Sequence, residues 1–344
     1  MTSTKVLSDF VEALVGGVVL DDQQLDASLS ALIDADVATQ GELVSRALFE
    51  MFQRGVTSAM LIATVNQLRS RMITVPLDGE QRSRAIDVVG TGGDGASSIN
   101  ISTLASLVAA GAGAVVIKHG NRAATSKCGS ADLLEALGVR LHRAPVDVAN
   151  DVAEVGFGFC FAPTFHPALA PLGPLRRALG IPTIFNLAGP LANPARPERA
   201  LIGVGRLDWI DVVATAAATT GVTNGWIVGA PGLDELSPTI ESSVIKIVDG
   251  QLQSATNFRP DDSAINHDTN LAEGGHAEDN LKITERILDG DVIDGRAEVV
   301  LNAAAALVIA GVAAELSEGV DRAQQSLDSG AARRVLTRLV ARHQ

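Results

Sequence analysis

Along the first 75 residues the apolar positions recur at helical spacing and never alternate. Val6, Phe10 and Leu14 form one stripe, and Leu25, Leu29, Leu32 and Ile33 form a second behind Asp21 and Gln24, which read as a capping box. Leu43, Ala47, Leu48, Met51 and Phe52 make a third stripe, and Leu61, Val65, Leu68 and Met72 a fourth, with Thr57 as its N-cap. A small helical bundle is predicted over residues 1–76. VPLDGE, with Pro76 and Gly79, breaks this pattern. Beyond it the short β-branched runs IDVV, AVVIK, FGFCF, ALIGVG and GWIVG alternate with helical stretches, which predicts an α/β domain over residues 77–344. SSVIKIVDGQLQSATNF reads as a hairpin across Asp249–Gly250, so the central sheet is expected to be mixed. The polar stretch Arg259–Asn280 reads as a long loop, and AEVVLNAAAALVIAG, EGVDRAQQSL and RRVLTRLVARH read as closing helices.

Composition narrows the class. Of 344 residues 47% are hydrophobic but only 3% aromatic, with no tyrosine, which suits a tightly packed interior of small side chains. The longest apolar stretches, Leu104–Ile117 and Val299–Ala314, fall short of the roughly 18 residues of a membrane span and contain Gly, Ser or Asn. Asp9 and Glu12 sit within the first helical pattern, unlike a cationic export signal, so a cytoplasmic location is expected. Cys128 and Cys160 form neither a disulfide framework nor a metal-ligand spacing, and both are expected to be reduced and packed. A formal charge of −13 argues against nucleic acid or an anionic membrane as partner. An anionic small substrate must therefore be met by local groups.

Two loops offer such groups. In DVVGTGGDGASSINIST, Gly90, Gly92 and Gly95 spell GxGxxG, but six residues separate Gly95 from Ser102, the expected cap of the next helix, and the second strand ends in Lys118 where a dinucleotide site needs an acid. Glycines that let backbone N–H groups close on an oxyanion, followed by Asn100, Ser102 and Thr103, fit phosphate better than NAD. Taken alone this loop could also be an ordinary strand-to-helix turn. The next loop, KHGNRAATSKCGSADLLEALG, holds Lys118, His119, Arg122 and Lys127 and then offers Ser130 as the cap of a helix ending at Gly138. Two anion-binding loops on adjacent strands suit a substrate with phosphates at both ends. By residue type Asp234–Glu235 reads as an exposed loop pair more readily than as a metal site, although Pro231, Gly232 and Pro238 place it on a turn. Arg176 and Arg177 are equal candidates for a single anion, and lone histidines such as His119 and His166 are more often structural than basic catalysts.

At these residues the chain resembles the anthranilate phosphoribosyltransferase family over nearly its whole length, through GTGGDG (90–95), NIST (100–103), KHGNRAATSKCGSADLLEALG (118–138), FHPAL (165–169), LRRALGIPTIFNLAGPLANP (175–194), GLDELSP (232–238) and GGHAEDN (274–280). The resemblance implies a small helical domain, joined by helices near 170–185, hinged to a larger α/β domain with the active site between them. It places phosphoribosyl pyrophosphate on Gly90, Gly93, Asp94, Ser98, Asn100, Ser102, Thr103, Lys118, Asn121, Arg122, Ala123, Ala124, Thr125, Ser126 and Ser130. It places anthranilate on Gly90, His119, Asn121, Arg176, Gly189 and Pro190, choosing Arg176 over Arg177, and Mg²⁺, as two ions, on Ser102, Asp234 and Glu235. It further implies a homodimer and no general base. The sequence departs from the family pattern at Thr125, Ser98 and His276, and its ADVAT (35–39) is a reduced form of a GEVSD-like stretch. Two rivals are a pyrimidine nucleoside phosphorylase-like enzyme, whose KHSTGG and SGRGLGHTGGT motifs are absent, and a non-catalytic nucleic-acid-binding relative, which should be basic.

Overall fold

The computed structural model describes residues 2–96, 98–123, 127–259, 261, 265 and 270–344. Four helices open the chain: α1 (Ser3–Gly16), α2 (Asp22–Ile33), α3 (Val37–Arg54) and α4 (Ser58–Arg71). The predicted caps form. Asp21 and Gln24 exchange side-chain and backbone hydrogen bonds, and Thr57 accepts the Met60 N–H. In α1 the buried stripe is Leu7, Phe10, Val11 and Leu14, with Val6 only half-buried. The apolar face is wider than the stripe read from the sequence and is centred one residue further round the helix.

After α5 (Gly79–Arg84) come β1 (Ala85–Gly90), α6 (Ile101–Gly111), β2 (Val115–Gly120), α7 (Ser130–Ala136), α8 (Pro145–Val155) and β3 (Phe157–Phe161). The chain then returns to the bundle through α9 (Ala162–Phe165), α10 (Gly173–Leu179) and α11 (Ile184–Ala188), before β4 (Arg199–Gly203), α12 (Ile210–Thr219) and β5 (Asn224–Gly229). β6 (Ser242–Val248), β7 (Gln251–Leu252) and β8 (Thr256–Phe258) precede α13 (Ala277–Leu288), α14 (Arg296–Ala310), α15 (Leu316–Asp328) and α16 (Ala331–Arg342).

The sheet runs in the order β3-β2-β1-β4-β5-β6-β7, parallel through β5, with β6 antiparallel to β5 and β8 pairing with β6. The sheet is mixed, as the hairpin implied. Asp249 and Gly250 both have positive φ, 50° and 75°, the geometry a two-residue hairpin turn needs. The Arg259–Asn280 loop is shorter than expected, because α13 begins at Ala277 and buries Ile287 and Leu288. Its polar first turn, AEDN, hid the amphipathic remainder.

Apolar side chains cover both sheet faces. One core joins β1 and β2 to α6, α14, α15 and α16; the other joins β4 and β5 to α12 and continues without a break into α1–α4 and α11. The fold is thus α/β with a mixed sheet and a small helical unit seated on one face. No helix among the described residues is long and apolar enough to cross a membrane.

Candidate active site

Strand order reverses between β1 and β4, with β2 and β3 on one side and β5 on the other. Loops leaving the two strands diverge there and open a crevice at the carboxyl ends. A cavity of about 310 Å³ occupies it. Every site residue expected from the sequence and described in the structure lines it: Gly90, Gly93, Asp94, Ser98, Asn100, Ser102, Thr103, Lys118, His119, Asn121, Arg122, Ala123, Ser130, Arg176, Gly189, Pro190, Asp234 and Glu235. Ala124, Thr125 and Ser126 lie outside the described residues.

The turn after β5 lies across the ends of β1 and β4. A Cβ on Gly203 would fall 1.5 Å from the Asp234 carbonyl oxygen, and one on Gly90 would fall 2.2 Å from Asp234 Oδ2, so both strands must end in glycine for the turn to seat. Seated there, Asp234 Oδ2 accepts the Gly92 N–H (2.8 Å) and Glu235 Oε1 accepts the Ser102 N–H (3.1 Å). The turn presents the pair, but not to solvent: Glu235 is only 7% exposed and Asp234 is half-buried. This corrects the surface reading of the dipeptide.

Two caps also differ from expectation. α6 starts two residues earlier, so Asn100 is its N-cap and Ser102 lies within the first turn. The Asn100 amide donates to the Cys128 carbonyl (3.1 Å) rather than capping, and its Oδ1, with the hydroxyl of Thr103, is buried without a protein partner. For α7 the N-cap is Gly129, not Ser130, because Asp132 folds back to accept both the Gly129 and Ala123 N–H groups (2.9 Å each). That carboxylate ties the two ends of the 121–129 loop together. Arg122 is drawn to the same side by Asp132 (2.9 Å) and Glu135 (2.7 Å).

Lys118 is 1% exposed, so its ammonium is no solvated charge. It donates to the Val88 carbonyl and the Ser102 hydroxyl (3.2 Å). Burial pushes its pKa down, while Asp87, Glu235 and Asp234 pull it up. Facing one cation, the carboxylates are under-compensated: desolvation and then the Asp94 charge push Asp234 up to about 7, and desolvation and then Asp234 hold Glu235 well above the carboxylate range. Such a site favours an added cation. Among the described residues no three His, Cys, Asp or Glu side chains converge as a self-sufficient metal cage, so a hard divalent ion here would need oxygens from a ligand as well.

These shifts predict a pH effect. In the unfolded chain Asp234 titrates near 3.9, whereas in the folded, metal-free protein it keeps its proton to about 7. The stability from this raised value is fully present below the unfolded pKa and is lost as pH rises through 7. Without metal the melting temperature should therefore fall between pH 6 and pH 8, by about 2 °C for about 1 kcal/mol. Mg²⁺ should raise it more at pH 8 than at pH 6. Equal Mg²⁺-induced shifts at both pH values would count against a cation at these carboxylates.

At the other end of the cavity Arg176 is half-buried, stacks its guanidinium 5.3 Å from the Phe185 ring centre, and makes only a long 3.4 Å hydrogen bond to Asn186 Oδ1. No carboxylate among the described residues lies within ion-pair distance of it, and Arg177 is exposed and does not line this cavity. His119 Nδ1 lies 2.9 Å from the Gly189 carbonyl, which can only accept, so Nδ1 carries the proton and the buried Nε2 is bare. Burial, and then the neighbouring His166, lower the His119 pKa to about 3. His166 is held through Nε2 to the Ala192 carbonyl (2.8 Å), and burial lowers its pKa as well. Neither histidine is a strong base. The wall also includes Leu68 of α4, Phe185 and Asn186, which the sequence reading passed over because each reads as ordinary core or cap.

A family model described as "Glycosyl transferase family, a/b domain" matches residues 82–333. The chain is 41% identical to the anthranilate phosphoribosyltransferase of Afipia carboxidovorans, covering 97% of this chain and 99% of that one. The chain belongs to the anthranilate phosphoribosyltransferase family. Among solved structures, the anthranilate phosphoribosyltransferase of Thermus thermophilus superposes with a TM-score of 0.86 at 36% identity, over 97% of this chain and 99% of that one. The Saccharomyces cerevisiae enzyme, solved in complex with PRPP and Mg, superposes with a TM-score of 0.87 at 25% identity, over 98% and 97%. Membership makes this chain an enzyme of the phosphoribosyltransferase class. The nucleoside phosphorylase and nucleic-acid-binding readings find no counterpart among these relatives.

Proposed function

We propose that the chain transfers the 5-phosphoribosyl group of phosphoribosyl pyrophosphate to the amine of anthranilate, releasing pyrophosphate in the presence of Mg²⁺, as the names of its relatives indicate for them. The observation that carries this reading is one cavity with an anion-binding loop and a carboxylate pair at one end and a half-buried guanidinium without a carboxylate partner at the other. Residues 1–76, with the helices near 170–185, form the small unit of a hinged pair, and Leu68 brings that unit to the cavity wall.

Breaking the ribose C1–O bond sends its electron pair to the departing pyrophosphate, and the aniline nitrogen lone pair forms the new bond to C1. The amine proton then leaves to solvent or pyrophosphate. The protein's part is positioning and electrostatics. The 90–95 loop, Ser98, Asn100 and Thr103 offer donors to the phosphates, with Lys118, Asn121–Ala123 and Ser130 on the other side; Ala124, Thr125 and Ser126, expected there too, lie outside the described residues. Asp234, Glu235 and the Ser102 hydroxyl are the groups to hold Mg²⁺, as two ions. When bound, Mg²⁺ neutralises the charge building on the leaving group. Arg176 receives the acceptor's carboxylate, while Asn121, His119, Gly189 and Pro190 shape the slot for its ring. Val18 and Val19, 60% and 93% exposed behind α1, are large apolar side chains open to a contact between two copies, in keeping with a homodimer. Light scattering that returns a single-chain mass would remove that assignment.

Arg176→Ala tests the acceptor end. It should raise the KM for anthranilate about ten- to a hundredfold, since a charge-assisted hydrogen bond contributes about 1.5–3 kcal/mol, and leave the KM for phosphoribosyl pyrophosphate nearly unchanged. An unmoved anthranilate KM would place the carboxylate elsewhere.

A further inference from the structure

Asp87 is a lone acid inside the apolar strand β1, 1% exposed and absent from the cavity wall. Its two oxygens are used separately. Oδ1 accepts the backbone N–H of His119 (3.2 Å), and Oδ2 accepts the side-chain amide of Asn193 (2.8 Å). Asn193 is itself fixed, donating also to the Ile117 carbonyl (2.9 Å) and accepting the Ala195 N–H (2.9 Å). The ring closes through His119, whose Nδ1 donates to the Gly189 carbonyl (2.9 Å), four residues before Asn193. The segment 189–193 is therefore held at both ends from one carboxylate.

Only a carboxylate can fill this position. Both groups that meet it are donors, so an asparagine would turn its NH₂ against one of them. No cation among the described residues lies within ion-pair distance of the carboxylate, and burial raises its pKa to about 6 despite the pull of Lys118 and of its hydrogen bonds to Asn193 and the backbone. A buried acid with that energetic cost and no access to solvent has a positioning task.

We infer that Asp87 is a positioning residue for the acceptor slot, setting the Gly189–Pro190 wall against His119 through Asn193. The inference rests on the proposed placement of anthranilate beside that wall. It separates the two substrates, because the phosphate loop hangs from the carboxyl end of β1 by other contacts, to Gly203 and Asp234.

The experiment compares steady-state kinetics of wild type, Asp87→Asn, Asn193→Ala and the swapped double variant D87N/N193D, with melting temperatures alongside. Asp87→Asn and Asn193→Ala should each raise the anthranilate KM about tenfold, and Asn193→Ala, which keeps the Asp87 charge near Lys118, should move the phosphoribosyl pyrophosphate KM less than about twofold. The swap again opposes one donor to one acceptor but turns a carboxylate oxygen toward the Ile117 carbonyl, so it should bring the anthranilate KM below that of Asp87→Asn without restoring it fully. Asn193→Ala leaves Asp87 in place, so it decides the matter should Asp87→Asn not fold. Equal changes in both KM values of Asn193→Ala, or a lower melting temperature with unchanged KM values, would make Asp87 a merely structural residue and overturn the inference. If wild type does not turn over anthranilate, the functional reading fails and the inference falls with it; wild-type turnover with unmoved variants sinks the inference alone.

Discussion

Replacing both Asp234 and Glu235 by alanine should lower turnover by about a thousandfold, or about 4 kcal/mol of transition-state stabilisation, while leaving a folded protein. Folding should survive although the pair does not lie at the surface. Both side chains are held in the site, and removing Glu235 strips the Ser102 N–H of its acceptor, costing about 1 kcal/mol. Against that loss, the two carboxylates sit beside each other and Asp94 with pKa values pushed up, so their removal also relieves repulsion. The metal-free melting temperature should therefore stay within about 3 °C of wild type, an offset of about 1 kcal/mol at most. What should vanish is the Mg²⁺-induced rise in melting temperature. Turnover measured against Mg²⁺ concentration decides the point: superimposable curves for wild type and the double variant would place the metal elsewhere.

Lys118 should show the second large effect. Lys118→Met leaves Asp87, Asp234 and Glu235 without the buried cation that faces them, and removes a donor from the floor of the phosphate loop. Affinity for phosphoribosyl pyrophosphate with Mg²⁺, read by calorimetry, should fall about a hundredfold, the scale of one charged hydrogen bond. Lys118→Glu, adding a further carboxylate, should abolish binding altogether. NAD should not raise the melting temperature of the wild-type protein. Unchanged phosphoribosyl pyrophosphate affinity in a folded Lys118→Met protein would mean that the ammonium only braces Val88 and Ser102.

The strands and most helices were legible because each follows a single period: FGFCF and GWIVG are continuous apolar runs of strand length, and α2 and α4 announce themselves by their caps. The site loops were legible because glycines, hydroxyls and cations cluster within short stretches. Features made by distant pairs were not. Asp87 meets Asn193 across 106 positions, and Arg69 on α4 reaches the Leu191 carbonyl across 122. Glu235 is buried because Gly90 and Gly203 let its turn lie flat on two strand ends, a contact that no local pattern encodes. The shift of the α6 cap has a local cause: Ile101 is buried and enters the helix, leaving Asn100 at the cap and Ser102 free to face Lys118.

Phosphoribosyl transfer to anthranilate is read most directly from the fluorescence of anthranilate incubated with the purified protein. The signal should fall only when phosphoribosyl pyrophosphate and Mg²⁺ are both present, with pyrophosphate released in equal amount. Fluorescence that persists with all components present, or that falls without phosphoribosyl pyrophosphate, would contradict the proposed activity.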